Sequence, residues 1–264
     1  MKIPFQQVDA FAGRPFTGNP AAVMPLEAWL DDATLQAIAA ENNLAETAFI
    51  VPWAGDEADF ELRWFTPAVE VALCGHATLA TGHVLLSRNP ASQRVRFMTR
   101  RAGPLEVARD GDRYRLALPA WEMAPKPLPD HAALLGGAPV ETWWRDGGYA
   151  LFRYGSAEEV TALEPDFRAM RPLGDILFIA TAPGVETDIV SRVFAPGAAI
   201  DEDPVTGSAH CLLATYWAKQ LGRDRFTAFQ ASARGGHIDV HLDGDRVLLG
   251  GSCVTVIEGV FTLS

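Results

Sequence analysis

One segment of this chain occurs twice, and that duplication restricts the fold more than composition does. Arg63-Trp64-Phe65-Thr66-Pro67 is echoed by Arg192-Val193-Phe194-Ala195-Pro196, 129 residues later. Ala48-Phe49-Ile50 matches Leu177-Phe178-Ile179 at the same offset. Gly75-x-Ala77 matches Gly207-x-Ala209 at 132, and Asp110-Gly111-Asp112-Arg113 matches Asp243-Gly244-Asp245-Arg246 at 133. Four matches in one order, with so little drift, mark two versions of one lobe of about 130 residues. The boundary falls at the stretch carrying Pro119, Pro125, Pro127 and Pro129, which gives an N-terminal lobe of residues 1–118 and a C-terminal lobe of 119–264, the last strand being able to return to the first lobe.

Within each lobe the pattern is mostly strand. Alternating or β-branched runs predict strands at 3–11, 21–24, 46–51 and 59–65, two or three more within 93–118, and others at 140–154, 175–181, 188–194 and within 226–262. Helical signals are fewer: 33–41 behind a capping Asp31 or Asp32, 77–86, 131–136, 157–163 and 209–221. Many strands around one or two helices per lobe predict an α+β fold rather than a doubly wound α/β sheet.

Composition closes off several classes of partner. The net charge of −11 argues against nucleic acid and anionic membranes, which need a basic face. No run approaches the 18 apolar residues of a membrane span, and the start Met-Lys-Ile-Pro-Phe-Gln-Gln has no signal-peptide character. Three cysteines, Cys74, Cys211 and Cys253, without CxxC spacing argue against a disulfide framework or zinc cluster. The expectation is a soluble, reduced, cytoplasmic protein. Gly-x-Gly-x-x-Gly, Walker A, Gly-x-Ser-x-Gly and His-Glu-x-x-His motifs are all missing, so neither metal nor cofactor is expected.

What remains is a pair of helix mouths. Cys74-Gly75-His76-Ala77 and Thr206-Gly207-Ser208-Ala209 each open a helix, and the first-turn N–H groups there suit an anion. His76 reads as a donor at the first mouth, as a core histidine, or as a metal ligand with His83; two helical turns separate that pair, which disfavours the metal. Cys74 reads as an acid/base thiol whose pKa the helix terminus would lower, or as inert packing. Asp201 and Glu202 read as a solvated acidic turn, and Asp203, beside the second mouth, as the more functional of the three. Glu46, first residue of a strand, reads on pattern alone as a solvated carboxylate or as a site residue.

Four stretches carry a resemblance: Phe16-Thr17-Gly18-Asn19-Pro20-Ala21-Ala22-Val23, Asn43-Leu44-Ala45-Glu46-Thr47-Ala48-Phe49, Leu73-Cys74-Gly75-His76-Ala77-Thr78 and Asp203-Pro204-Val205-Thr206-Gly207-Ser208-Ala209-His210. Together they resemble the PhzF-like, phenazine biosynthesis-like isomerase family. The resemblance implies the diaminopimelate epimerase fold, two pseudo-symmetric lobes that each wrap a β-barrel-like sheet around a central helix, with the active site between the lobes. It implies Glu46, His76 and Asp203 as catalytic residues, Gly75, Gly207, Ser208 and Asn19 as substrate-binding residues, a small carboxylate-bearing substrate, no cofactor and a homodimer. The related epimerases use two cysteines. Cys74 matches the first, but Thr206 stands at the second position, and a hydroxyl cannot act as that base. One-base proton transfer by Glu46 is therefore expected. An amino-acid racemase or epimerase using Cys74, and a non-catalytic binding protein of the same fold, are the alternatives.

Overall fold

The computed structural model describes residues 1–263. Its contacts divide the chain into two compact units. The first comprises Met1–Leu118 with the segment from Leu249 onward, and the second comprises Pro119–Leu248.

In the first unit β1 (Lys2–Ala10) pairs antiparallel with β2 (Asn19–Pro25), and helix α1 (Asp32–Asn42) carries the chain over to β3 (Glu46–Pro52), parallel to β2. β4 (Phe60–Phe65) runs antiparallel to β3 and continues into the short β5 (Glu70–Val71). Helix α2 (Gly75–Arg88) then crosses to β6 (Arg94–Thr99), parallel to β4, before the meander of β7 (Pro104–Asp110) and β8 (Arg113–Pro119). Parallel strands cannot be joined by a tight turn, so a helix falls between the partners of each parallel pair.

The second unit repeats the plan. β9 (Ala124–Pro125) and α3 (Pro129–Ala133) lead to β10 (Glu141–Arg145) and β11 (Tyr149–Arg153). The short helices α4 (Ala157–Thr161) and α5 (Phe167–Met170) bridge to β12 (Leu177–Pro183), parallel to β11. β13 (Ile189–Ala195) and β14 (Ile200–Asp203) precede α6 (Gly207–Leu221), which crosses to β15 (Arg225–Gln230), parallel to β13. β16 (Gly236–Asp243) and β17 (Arg246–Gly251) follow, and β18 (Cys253–Thr262) closes the first unit against β1.

The two long crossover helices are buried on nearly every face. In α2 the run from Gly75 to Gly82 is buried without a break, and in α6 so is the run from Ala209 to Ala218. A helix apolar all round belongs inside a protein, not on its surface. Each therefore forms the axis of its unit, as the family resemblance implies. The packing is close enough to require glycine: a Cβ at Gly82 would lie 2.4 Å from Cγ1 of Val107 on β7.

The acidic trio is not a turn. Asp201, Glu202 and Asp203 lie in β14, and two of them are paired: Asp201 with Arg171 at 2.9 Å, Glu202 with Arg192 at 2.7 Å. The Arg192–Glu202 fork has a counterpart in the first unit, where Arg63 donates from Nε and Nη2 to Glu70, both at 2.8 Å. Arg63 and Arg192 are the residues that open the repeated Arg-x-Phe-x-Pro pattern. Bidentate guanidinium–carboxylate pairs are the stronger kind. Here each fixes the short strand just upstream of a long helix. Among the described residues no helix is long and apolar enough to cross a membrane.

Gly82→Ala should lower stability by about 1–3 kcal/mol, the range for overpacking, although alanine is the better helix former by ~1 kcal/mol. Urea unfolding is the measurement. Adding Val107→Ala should recover part of the loss, and an unchanged midpoint in the single variant would show that α2 and β7 are not packed so closely.

Candidate active site

The first helix mouth gathers three of the four motifs named above. Asn19 opens β2, Glu46 opens the parallel strand β3, and the paired register sets Ala21 opposite Glu46. The position of Glu46 is fixed locally. Asp31 caps α1 by accepting from the Thr34 N–H at 2.9 Å, and Asn43 ends the helix in a left-handed conformation that asparagine tolerates. Asn42 then donates to Thr47 Oγ1 at 3.1 Å. Cys74 is the N-cap of α2 with an extended backbone, and His76 lies in the first turn, one residue beyond Gly75.

These side chains meet. His76 Nε2 is 2.9 Å from Glu46 Oε2, and His76 Nδ1 is 3.0 Å from Asn19 Nδ2. Cys74 Sγ is 3.5 Å from Nδ1. All four residues are buried, Asn19 completely and Glu46 the most open at 8% exposure. Burial opposes a charge on His76, but its contacts with Cys74 and Glu46 outweigh it and raise its pKa well above the ordinary value. For Cys74 burial acts first and the Glu46 charge adds to it, pushing the thiol up to about 11. The lowering expected from the helix terminus is overcome, because a dry site next to a carboxylate penalises a second anion. At neutral pH Cys74 is a thiol.

The second mouth has the same backbone and different chemistry. Thr206 is the N-cap of α6, also extended, with Gly207 buried and Ser208 half-buried behind it. Its hydroxyl donates to Asp203 Oδ2 at 2.5 Å. Gln230, fully buried on β15, accepts the Thr206 N–H at 2.9 Å and donates to Asp203 O at 2.7 Å and Thr206 Oγ1 at 3.0 Å. Equivalent residues even return to the N-cap carbonyl in both helices: Thr78 Oγ1 to Cys74 O, His210 Nδ1 to Thr206 O. The sequence reading missed Gln230. Gln230 had a signal, being a polar residue at an inward position of a strand that otherwise buries Phe226 and Ala228.

His83 does not join His76. It contacts the Tyr114 hydroxyl at 3.1 Å and Thr255 Oγ1 at 3.0 Å. Cys211 is buried within α6, and Cys253 is half-buried on β18. Among the described residues, Glu46, Cys74 and His76 are the set whose donor atoms could hold a metal ion, all within 4.8 Å. The positive end of α2 works against a cation there. The trio is better suited to holding and passing a proton.

Comparison with known proteins now decides the family. Residues 8–259 match the family model for phenazine biosynthesis-like proteins. The chain belongs to the phenazine biosynthesis-like family. Within that family of isomerases it is 46% identical, over all of both chains, to an uncharacterized isomerase of Pseudomonas aeruginosa. It is similar to the crystal structure of a PhzF-family phenazine biosynthesis protein from Enterococcus faecalis, with a TM-score of 0.91 and 41% identity over all of both chains. A hydroxyproline epimerase from Agrobacterium vitis shares the fold at 14% identity, with a TM-score of 0.61 over 98% of this chain and 92% of that one.

The Glu46–His76 contact predicts a titration. In Glu46→Gln the burial of His76 loses one of its two opponents, Cys74 being the other, so the His76 pKa should fall. NMR titration of the ring signals would show this, and an unmoved midpoint would mean that the Glu46 charge does not govern His76.

Proposed function

We propose that this family member isomerises a small carboxylic acid by a cofactor-independent, one-base proton shift, with Glu46 as the base. The observation that carries the reading is the buried Glu46–His76 contact of 2.9 Å at the N-terminus of α2. Glu46 carboxylate would take a proton from one carbon, the electron pair left behind shifting into the adjacent π system. The proton, now on Glu46 or exchanged with His76 Nε2, would return to another carbon of the same face, leaving a double bond moved and no net change in atoms. First-turn N–H groups at Gly75 and His76 would hold the substrate's carboxylate, a helix terminus contributing on the order of 0.3–1 kcal/mol, up to ~2 when partly buried. Asp203, Gly207 and Ser208 are proposed from the family resemblance to act in catalysis and binding.

Two features speak against racemisation by paired thiols. The second N-cap is Thr206, whose hydroxyl is engaged with Asp203. Cys74, with its pKa raised to about 11, carries little thiolate at neutral pH. A second proposal follows from the family resemblance and the exposed apolar residues of β18, Ile257 and Val260: the chain forms a homodimer.

Incubation with a panel of small unsaturated acids and amino acids in deuterated water, read by NMR, tests the mechanism. Wild type should exchange or rearrange at least one compound. Glu46→Gln should lose on the order of 10²–10⁴-fold in rate, the usual contribution of a positioned acid/base group, while Cys74→Ser keeps most of it. Exchange that survives in Glu46→Gln and disappears in Cys74→Ser would replace this reading with thiol catalysis. Asp203→Asn should also slow the reaction. Sedimentation should give a dimer that Val260→Arg weakens.

A further inference from the structure

Asn19 is fully buried, with its amide nitrogen 3.0 Å from Nδ1 of His76, and the loop before it is built to put it there. Gly18 has a left-handed φ of +66°, and a Cβ at that position would lie 2.1 Å from Ala10 O, so only glycine makes the turn. Phe16 is also left-handed, at φ 70°, and its N–H donates to Asp9 Oδ2 at 2.9 Å. A glycine turn, one strained residue and a buried carboxylate anchor set Asn19 opposite Ala10 in the β1–β2 pairing. Strain like that of Phe16, about 1–3 kcal/mol, persists where the surroundings over-determine the geometry and is concentrated at functional sites.

The partners of the imidazole are sorted by chemistry. Nε2 faces the Glu46 carboxylate, an acceptor when ionised, so a single ring proton belongs on Nε2. Nδ1 faces the Asn19 amide N–H and the Cys74 thiol, and with the thiol protonated both are donors. The Glu46 charge draws a second proton onto the ring, and that proton would have to land on Nδ1, opposite a donor.

We propose that Asn19 is a positioning residue for His76: by donating to Nδ1 it keeps the ring's transferable proton on Nε2, against Glu46, and opposes the second proton that Glu46 attracts. This rests on the reading of Glu46 and His76 as a proton-transfer pair. It assigns Asn19 to the imidazole and not to the substrate. The fixed partner on one ring nitrogen decides what the other can do, the logic by which second-contact residues select a histidine tautomer.

The test is ¹⁵N NMR of histidine-labelled protein from neutral to alkaline pH, with the His76 signals assigned by their loss in His76→Gln. Wild type should show an unprotonated Nδ1 and a protonated Nε2 over the upper part of that range. Asn19→Asp, which puts an acceptor at the same place, should keep Nδ1 protonated to higher pH. Asn19→Ala should move the midpoint in the same direction by less, and it serves if the buried charge of Asn19→Asp prevents folding. On whichever panel compound wild type exchanges, Asn19→Asp should slow turnover toward the ~10⁴-fold loss that a wrong tautomer costs a catalytic histidine. A wild-type Nδ1 protonated throughout, or a midpoint identical in the variants, overturns the assignment. If instead Glu46→Gln exchanges as fast as wild type, the proton-transfer reading falls, and the nitrogen signals still judge Asn19 alone.

Discussion

A helix buried on nearly every face has to bury its N-terminus as well. The first turn of any α-helix has N–H groups without intrahelical partners, and at a surface water would satisfy them. In α2 and α6 the N-terminal residues Gly75 and Gly207 are buried, and neither N-cap side chain makes a capping hydrogen bond. The rest of each unit follows from this arrangement. Parallel strand pairs need a crossover, the crossover is the axial helix, and the helix leaves a positive, partly dry mouth where β2 and β3, or β14, deliver their polar residues.

At such a mouth small differences in side chain set the chemistry. In the first unit the N-cap is Cys74, with Glu46, His76 and Asn19 around it; in the second it is Thr206, bonded to Asp203 and held by Gln230. Desolvation and one carboxylate act differently on two neighbours. Both raise the thiol, whereas the imidazole is disfavoured by burial and favoured by the charge. A thiolate at Cys74 is therefore disfavoured beside Glu46. On the proposed mechanism, that asymmetry between the two otherwise similar mouths is what separates a one-carboxylate isomerase from an enzyme built on two thiols.

Much of the fold could be read from the chain, because its signals are local. The strand runs, the Asp31 cap, the helices behind Cys74 and Thr206 and the repeated Arg-x-Phe-x-Pro pattern all lie within short windows, and the structure has elements at each. The failures share one cause. Asp201 and Glu202 look like a solvated turn until their partners Arg171 and Arg192 arrive from 30 and 10 residues away. Gln230 reaches Thr206 across 24 residues, and the loss of the helix-terminus effect at Cys74 comes from burial by the fold, with Glu46 adding to it.

The sequence by itself determined that the chain is a duplicated, strand-rich lobe with two glycine-led helix mouths, since period, capping and repetition are properties of neighbouring residues. Its four motifs also marked the family, and with it the residues to watch. Only the tertiary structure decided what those residues do to one another. Glu46 precedes His76 by 30 positions, and Asn19 by 57. They touch because β2 and β3 run parallel beneath the mouth of α2. Whether a carboxylate there is solvated or a base, a thiol an anion or neutral, and an asparagine a ligand contact or an anchor for a ring nitrogen depends on distance and desolvation. Those are quantities a linear chain does not contain until it is folded.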